Sequence, residues 1–342
     1  MKFINGIKKI LGFKDDAGDS FPDQQPHIPP RINNEPNIIL TTRCNGRCIY
    51  CSANGEDRHM SIDGVRFSVF NSGHNALVFE GGEPLLCLDL EYWVRMARKS
   101  GVEEAHILTN GYLLNSERLE SLFEAGATHF HFNFPSHISE IHETLTDLKG
   151  HFEKQVASIS RVYDKNPESL VLVCVVNSLN YKYLADYVEF VAKKFPKLFY
   201  IAFNSIKVMG NVRRRRNLVP RLTEVSPYLI SALKKAKELH IPCLCDGFPL
   251  CVLKGWEVYS RDIEHLLRGN PTYLKEKEAV RQCRKCTLSD LCAGIRKDYV
   301  YVHGKSEVKA SSLSPEPIIA MVNKGQLGLN QPNHQHQFMR NK

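Results

Sequence analysis

Three cysteines stand within eight positions of the chain, at Cys44, Cys48 and Cys51 in the stretch RCNGRCIYC. Their C-x3-C-x2-C spacing differs from the paired C-x2-C groups of a structural zinc site. Three thiolates on one short loop can instead hold three corners of an iron–sulfur cube and leave its fourth iron open. The spacing therefore predicts a loop that binds an iron–sulfur cluster.

The composition restricts the class of protein that carries this loop. The chain has 342 residues, 43% of them hydrophobic, which is enough for one large domain and a small one. Its eleven cysteines are odd in number and clustered, which argues against a disulfide framework. The sequence shows no signal-peptide pattern and no apolar run long enough to span a bilayer. We therefore expect a cytoplasmic protein that uses its cysteines for metal.

The elements that must position the cysteine loop alternate along the chain. Short apolar runs predict six strands, at 37–42, 76–80, 105–109, 129–134, 170–176 and 199–203. Helical patterns lie between them, at 88–100, 116–126, 139–163 and 183–195. This alternation predicts an α/β fold with a parallel sheet and right-handed crossovers. In such folds the chemistry lies at the carboxyl ends of the strands.

Polar and glycine-containing segments follow the predicted strands, where an active-site rim should be. The cysteine loop follows the first strand, and FEGGEP (79–84) ends the second. Gly81 and Gly82 would allow the backbone to approach a bound molecule closely. Further rim segments follow the later strands, at 108–111, 133–136, 176–180 and 204–211.

This arrangement resembles the radical S-adenosylmethionine (SAM) enzymes over roughly residues 37–215. That family folds as a partial (β/α)6 TIM-like barrel. The resemblance implies that Cys44, Cys48 and Cys51 bind a [4Fe–4S] cluster whose fourth iron takes the amino and carboxylate groups of SAM. Tyr50 fits the aromatic residue that the family usually has before its third cysteine.

Other SAM contacts are implied by the same resemblance. The GGEP strand end of the family meets the SAM amino group, which implies Gly81, Gly82 and Glu83 here. After the fourth strand the family often has Ser-x-Asp near the SAM ribose, but this chain has Asn133 and Pro135 at those positions. The expected polar contacts from this chain are therefore Asn133, Ser136 and, after the fifth strand, Asn177.

A second cysteine set lies downstream, with C-x2-C-x5-C spacing at 283–292. Alone, this spacing suits zinc or a cluster closed by four thiolates. Beside a radical SAM barrel it resembles the SPASM or twitch extensions, which carry auxiliary [4Fe–4S] clusters. Because no cysteine follows Cys292, we favour the shorter, twitch-like form with one auxiliary cluster. Its expected ligands are Cys251, Cys283, Cys286 and Cys292, with Cys243 or Cys245 as alternatives to Cys251.

The resemblance and the composition together predict four segments. Residues 1–36 would be an amphipathic segment and linker, and 37–239 the radical SAM partial barrel. Residues 240–305 would form the small cysteine-rich, twitch-like domain, and 306–342 a disordered tail.

Four consecutive arginines, Arg213 to Arg216, follow the sixth predicted strand. The run is either a solvated loop or a clamp for an anionic substrate at the mouth of the site. The net charge of +8 also favours an anionic partner. Nucleic acid is not expected, because no basic stripe with interleaved aromatic residues accompanies the run.

Three functions remain open from the sequence. The first is a radical SAM enzyme that abstracts hydrogen from a small molecule or cofactor precursor, assisted by an auxiliary cluster. The second is a maturase of a ribosomally made peptide, and the third a non-enzymatic cluster scaffold or redox sensor. The first two require a reductant such as ferredoxin or flavodoxin, and their reaction class (oxidoreductase, isomerase or lyase) stays unresolved.

Overall fold

A seven-stranded parallel sheet organises the protein, with its strands in sequential order. The computed structural model describes residues 36–54, 60–71, 75–267 and 275–323. The strands are β1 (Asn37–Thr41), β2 (Ala76–Gly81), β3 (Glu104–Thr109), β4 (His129–Asn133), β5 (Leu170–Val176), β6 (Tyr200–Ser205) and β7 (Cys243–Asp246). Because every neighbouring pair is parallel, the loops that follow the strands meet at one edge of the sheet.

Helices connect the strands and continue beyond the sheet. They are α1 (Ile62–Asn71), α2 (Leu90–Lys99), α3 (Ser116–Ala125), α4 (Ser139–Thr146), α5 (His151–Lys165), α6 (Leu184–Lys194), α7 (Leu222–Glu238), α8 (Leu250–Leu253), α9 (Arg261–Leu267), α10 (Lys297–His303) and α11 (Pro315–Asn323). A small antiparallel pair, β8 (Lys277–Glu278) with β9 (Ile295–Arg296), lies between α9 and α10. Within the described part of the chain, no helix combines the length and the hydrophobicity needed to cross a bilayer.

The two faces of the sheet are packed differently. Alternate residues such as Leu170, Leu172 and Cys174 of β5 face the large core that the helices cover. The intervening residues Val171 and Val173 face the other side, in a separate small apolar cluster. Strand alternation thus divides each strand between a helix-covered face and a second face.

All six predicted strands are present, but the sheet has a seventh. β7 lies inside the range predicted for the C-terminal domain, and the sequence pattern of its cysteines indicated only candidate metal ligands. Cys243 and Cys245 are in fact fully buried on the helix-covered face, where cysteine acts as a small apolar residue.

Two further expectations are corrected. The helix predicted over 139–163 is interrupted, because Asp147 and Gly150 adopt left-handed conformations and separate α4 from α5. The disorder predicted for 306–342 is wrong for its first part, since α11 buries Ile318, Ile319 and Val322. Residues 1–35 of the predicted N-terminal segment 1–36 lie outside the described residues, as do residues 324–342.

Candidate functional site

The three-cysteine loop lines a cavity of about 480 Å³ after the carboxyl end of β1. Cys44 Sγ and Cys48 Sγ lie 3.7 and 3.8 Å from the point that a Gly46 Cβ would occupy, so the two thiols face a common space. The predicted site residues that line this cavity are Cys44, Cys48, Cys51, Gly81 and Gly82.

The electrostatics of the thiols favour a bound cation. The pKa of Cys48 is raised to about 12, mainly by burial and also by the neighbouring Cys51 and Cys44 thiols. Burial likewise raises the pKa of Cys44. Three thiolates in one cavity are therefore unfavourable without a compensating positive charge, which an iron–sulfur cluster supplies. The donor set fits such a cluster.

The glycines of GGEP dock the end of β2 against the cysteine loop. The Gly82 N–H donates to the Thr41 carbonyl, and the Glu83 N–H donates to the Arg43 carbonyl, each at 2.8 Å. A Cβ at Gly81 would lie 2.2 Å from Thr41 O, and one at Gly82 would lie 2.1 Å from Arg43 O. Any side chain at these two positions would therefore push the cysteine loop away.

Glu83 is buried and its carboxylate is already bonded to β3. Its Oε1 accepts from Thr109 Oγ1 at 2.6 Å and from the Leu85 N–H at 3.1 Å, and its Oε2 accepts from the Asn110 N–H at 2.8 Å. Burial raises the pKa of the carboxyl, and these hydrogen bonds partly oppose that shift. A SAM contact through the Glu83 carboxylate would share or replace one of these bonds, so this assignment stays a prediction.

Asn110 connects three parts of the site, although nothing in the sequence marks it as a site residue beyond its place in the rim segment 108–111. Its Nδ2 donates to Asn45 Oδ1 at 2.8 Å and lies 3.9 Å from Cys44 Sγ. Its carbonyl accepts from Gln155 Nε2 at 2.7 Å and lies 3.1 Å from His151 Nε2, both on α5. Asn110 thus fixes the first cysteine relative to β3 and α5.

Asn211 holds the other end of the loop. Its N–H donates to the Cys51 carbonyl at 2.9 Å, and its Nδ2 donates to the Cys48 carbonyl at 2.8 Å. Gly210, with φ of 54°, permits this approach, because a Cβ there would lie 2.4 Å from Cys51 O. From the sequence, segment 204–211 was predicted only to lie at the active-site rim. A contact between positions so far apart in the chain leaves no periodic pattern in the sequence.

The remaining predicted SAM contacts are not among the described residues that line the cavity. Tyr50 is buried in the core, and Asn133 is half-buried at the end of β4. Ser136 Oγ accepts from the Ile138 N–H at 3.0 Å. Asn177 is fully buried and bonds to Leu179 and Val175 backbone groups. Their roles toward SAM stay predictions.

A second cavity, of about 750 Å³, collects the four expected downstream cysteines, Cys251, Cys283, Cys286 and Cys292. Backbone N–H groups point at two of the thiols: Ser311 donates to Cys286 Sγ at 3.3 Å, and Gly294 donates to Cys292 Sγ at 3.4 Å. Burial raises the pKa of Cys292 to about 11. Cys243 and Cys245 are not among the described residues that line this cavity.

One arginine of the basic run reaches the first cavity. Arg215 is among its lining residues, together with Arg47 and Asp147, whose side chains form an ion pair at 3.6 Å. Arg216 instead lies over the Tyr301 ring, 4.7 Å from its centroid. The structure therefore separates the members of a run that the sequence treated as one unit.

Parts of this chain are similar to known proteins. Residues 38–191 match the family model of the Radical SAM superfamily. A probable GTP 3′,8-cyclase of Methanocaldococcus jannaschii is 27% identical over 160 residues, which cover 45% of this chain and 53% of that protein. The mitochondrial GTP 3′,8-cyclase of Arabidopsis thaliana is 27% identical over 224 residues, which cover 61% of this chain and 55% of that protein.

Among solved structures, Streptococcus suis SuiB bound to its precursor peptide SuiA has a similar fold. Its TM-score is 0.56 at 13% identity, over 90% of this chain and 86% of that chain. The chain spans about half the length of the two cyclases, at 53% and 55%. A second iron–sulfur cluster fits the cysteine-rich C-terminal part. Residues 38–191 are therefore similar to the Radical SAM superfamily, a family that binds a [4Fe–4S] cluster and SAM.

Proposed function

We propose that this chain is a radical SAM enzyme that cleaves SAM reductively and abstracts a hydrogen atom from an anionic small molecule or cofactor precursor. The observation that carries the proposal is the first cavity, in which three thiols and the backbone of two glycines face one space inside the radical SAM domain. Four protein thiols would close a structural site, whereas three leave one iron for a ligand.

The residues of the chain provide binding and position. Cys44, Cys48 and Cys51 would hold the cluster, and the half-buried backbone of Gly81 and Gly82, which lines the same cavity, would contact SAM. When bound, the reduced cluster supplies the electron that cleaves SAM to methionine and a 5′-deoxyadenosyl radical. Asn110 and Asn211 fix the loop from opposite sides, so that the cysteines are positioned before any ligand arrives.

The second cavity supports an auxiliary cluster in a twitch-like unit beside a partial (β/α)6 barrel. Four thiols line it, and their neighbouring N–H donors suit thiolate ligands, which accept hydrogen bonds. Cys251 fits this set better than Cys243 or Cys245, because it lines the cavity and its pKa is raised by burial and by the Cys283 and Cys286 thiols.

An anionic small molecule is favoured as substrate by two observations. Two of the sequence relatives are named GTP 3′,8-cyclases, and the basic residue Arg215 lines the first cavity. A peptide maturase remains the alternative, and a cluster scaffold without enzymatic activity would not require a SAM site.

The activity is tested by anaerobic reconstitution, reduction with dithionite and measurement of 5′-deoxyadenosine. The wild-type chain should form it from SAM, and the Cys44→Ala/Cys48→Ala/Cys51→Ala variant should not. Cys87→Ala, which changes a half-buried thiol outside both cavities, is the matched control and should retain the activity. Formation of 5′-deoxyadenosine by the triple variant would contradict the proposal.

The substrate class is tested separately by hydrogen transfer. Deuterated GTP and other nucleoside phosphates are supplied as probes, and deuterium in 5′-deoxyadenosine is measured by mass spectrometry. Deuterium transfer from GTP or another nucleoside phosphate would support an anionic small molecule as the substrate. Transfer only from a peptide, with none from any nucleotide, would replace it by the maturase alternative.

A further inference from the structure

A third group of side chains of the types that can bind metal lies away from both cysteine cavities, at the amino ends of β3 and β4. Glu104 and His106 are two residues apart on β3 and share its second face, because side chains alternate along a strand. His129 on β4 is the direct register partner of His106. At about 3.3 Å per residue, β3 separates this group from the cysteine loop by roughly 16 Å.

The three side chains converge. Their ligand atoms all lie within 4.8 Å of one another. His106 Nε2 is 3.0 Å from Glu104 Oε2, and the His106 and His129 ring centroids are 4.6 Å apart. His106 and His129 are 2% and 8% exposed, so the group is almost entirely removed from water.

The hydrogen bonds of Thr128 set the tautomer of His129. The Thr128 hydroxyl donates its single proton to the Ala105 carbonyl at 3.1 Å, and it accepts from the Ala105 N–H at 3.0 Å. His129 Nδ1, 3.0 Å from the same oxygen, must therefore donate its own proton. This leaves Nε2 of a neutral His129 with the lone pair that a metal ligand requires. A ligating histidine typically bonds its other ring nitrogen in this way.

A third imidazole lies beside the group. His131 stacks on His106 with ring centroids 5.0 Å apart, and its buried Nε2 has no hydrogen-bond partner among the described residues. Burial lowers the pKa of His131 well below its usual value, and the charges of His106 and Arg261 lower it further. Because the nearby guanidinium opposes a cation on that side, we leave His131 outside the ligand set.

We propose that Glu104, His106 and His129 bind a divalent transition-metal ion of the zinc class. Two imidazoles and one carboxylate are a donor set found in zinc sites, where a water molecule completes the tetrahedron. Calcium and magnesium are disfavoured, because they prefer sites built from oxygen atoms alone. The ion would connect β3 to β4 at the end of the sheet that the radical chemistry does not use, and would stabilise the folded chain by binding it selectively.

The experiment must separate this site from cysteines that bind zinc adventitiously. The holoprotein with both clusters reconstituted is stripped of loosely held metal, mixed with one equivalent of Zn²⁺ and desalted. Zinc retention is measured by mass spectrometry, and the coordination is measured by X-ray absorption at the zinc edge. We expect about one zinc per chain with nitrogen and oxygen neighbours near ~2.0–2.1 Å, not sulfur near ~2.3 Å.

Variants assign the ligands. His106→Gln and His129→Gln should each weaken zinc binding by more than about tenfold, and Glu104→Gln is a third variant in case one of these does not fold. Thr128→Val should weaken binding by about tenfold, whereas Thr128→Ser, which keeps the hydroxyl, should restore it. His303→Gln, whose ring bonds a distant backbone carbonyl, is the control and should bind zinc normally.

Circular dichroism and iron content show whether each variant folds. Retained zinc with sulfur neighbours, no retained zinc in the wild-type holoprotein, or unchanged zinc binding in folded His106→Gln and His129→Gln variants would each overturn the proposal.

Discussion

The two cysteine cavities differ in what surrounds their thiols. The first has three cysteines on one loop after β1, beside glycines whose backbone borders an open space. The second has four cysteines from separate segments, with Gly294 and Ser311 donating N–H groups to two of the thiols. Three ligands leave one iron available to a small molecule, whereas four complete the shell of a cube. Under the proposed function, the first cavity would be the reactive site and the second an electron-transfer or structural site.

The largest expected effect concerns the iron content. Two four-iron clusters give about eight irons per chain, and the Cys44→Ala/Cys48→Ala/Cys51→Ala variant should retain about four with no SAM cleavage. Replacing the four downstream cysteines should leave SAM cleavage measurable, because the first cavity does not depend on those thiols. Iron is counted after anaerobic reconstitution. Stoichiometric zinc with only four irons in the wild-type chain would contradict the proposed auxiliary cluster.

The parts of the fold and of the site that could be predicted from the sequence are those marked by a local sequence pattern. The strands and the C-x3-C-x2-C loop are local patterns, and the predicted strands are present in the sheet. β7 was missed because its two cysteines resembled ligands, although they are buried core residues. Asn110 and Asn211 were missed because their partners are distant in sequence: Asn211 is 163 positions from Cys48. An asparagine in a loop carries no sign of such a contact.

The next largest effect is expected from glycine substitutions that each disturb only one of the two cavities. Gly82→Ala should reduce SAM cleavage by about a hundredfold, because its Cβ would meet Arg43 O at 2.1 Å and displace the cysteine loop. Gly294→Ala should disturb only the second cluster, since its Cβ would meet Glu278 O at 2.2 Å. Iron content and SAM cleavage are measured for both variants.

Gly101→Ala is the matched control for these substitutions. Its φ of 96° is unfavourable for alanine, but no atom lies within 4 Å of the added Cβ. It should cost only about 1–2 kcal/mol of stability and leave both clusters in place. Equal loss of the first cluster in Gly101→Ala and Gly82→Ala would mean that general destabilisation of the fold, not displacement of the cysteine loop, accounts for the loss.

A smaller effect is expected from Asn110, whose side-chain amide lies beside Cys44 of the first cavity. Asn110→Ala removes the amide that faces Cys44 Sγ and should lower the reduction potential of the first cluster, because hydrogen bonds to ligand sulfur favour the reduced state. One hydrogen bond of about 1 kcal/mol corresponds to roughly 40 mV for one electron. The potential is measured by EPR-monitored titration. A shift confined to the second cluster would contradict the assignment.

The smallest effect concerns the arginine run. Arg215→Gln should raise the KM of an anionic substrate by about two- to fivefold, as expected for an exposed charge pair, and should weaken its salt dependence. Arg214→Gln, a neighbouring exposed arginine that is not among the described lining residues, should change KM little. SAM cleavage without substrate should be nearly equal in the two variants. Equal KM values in the Arg215→Gln and Arg214→Gln variants would indicate that the whole arginine run is a solvated loop.

The difference between an open and a closed cluster is tested most directly by EPR of the reduced protein with and without SAM. The wild-type chain should show two [4Fe–4S] signals, of which SAM changes one. The Cys44→Ala/Cys48→Ala/Cys51→Ala variant should retain a single signal that SAM does not alter. A SAM-dependent change in the triple variant would place the reactive cluster at the downstream cysteines and contradict the account.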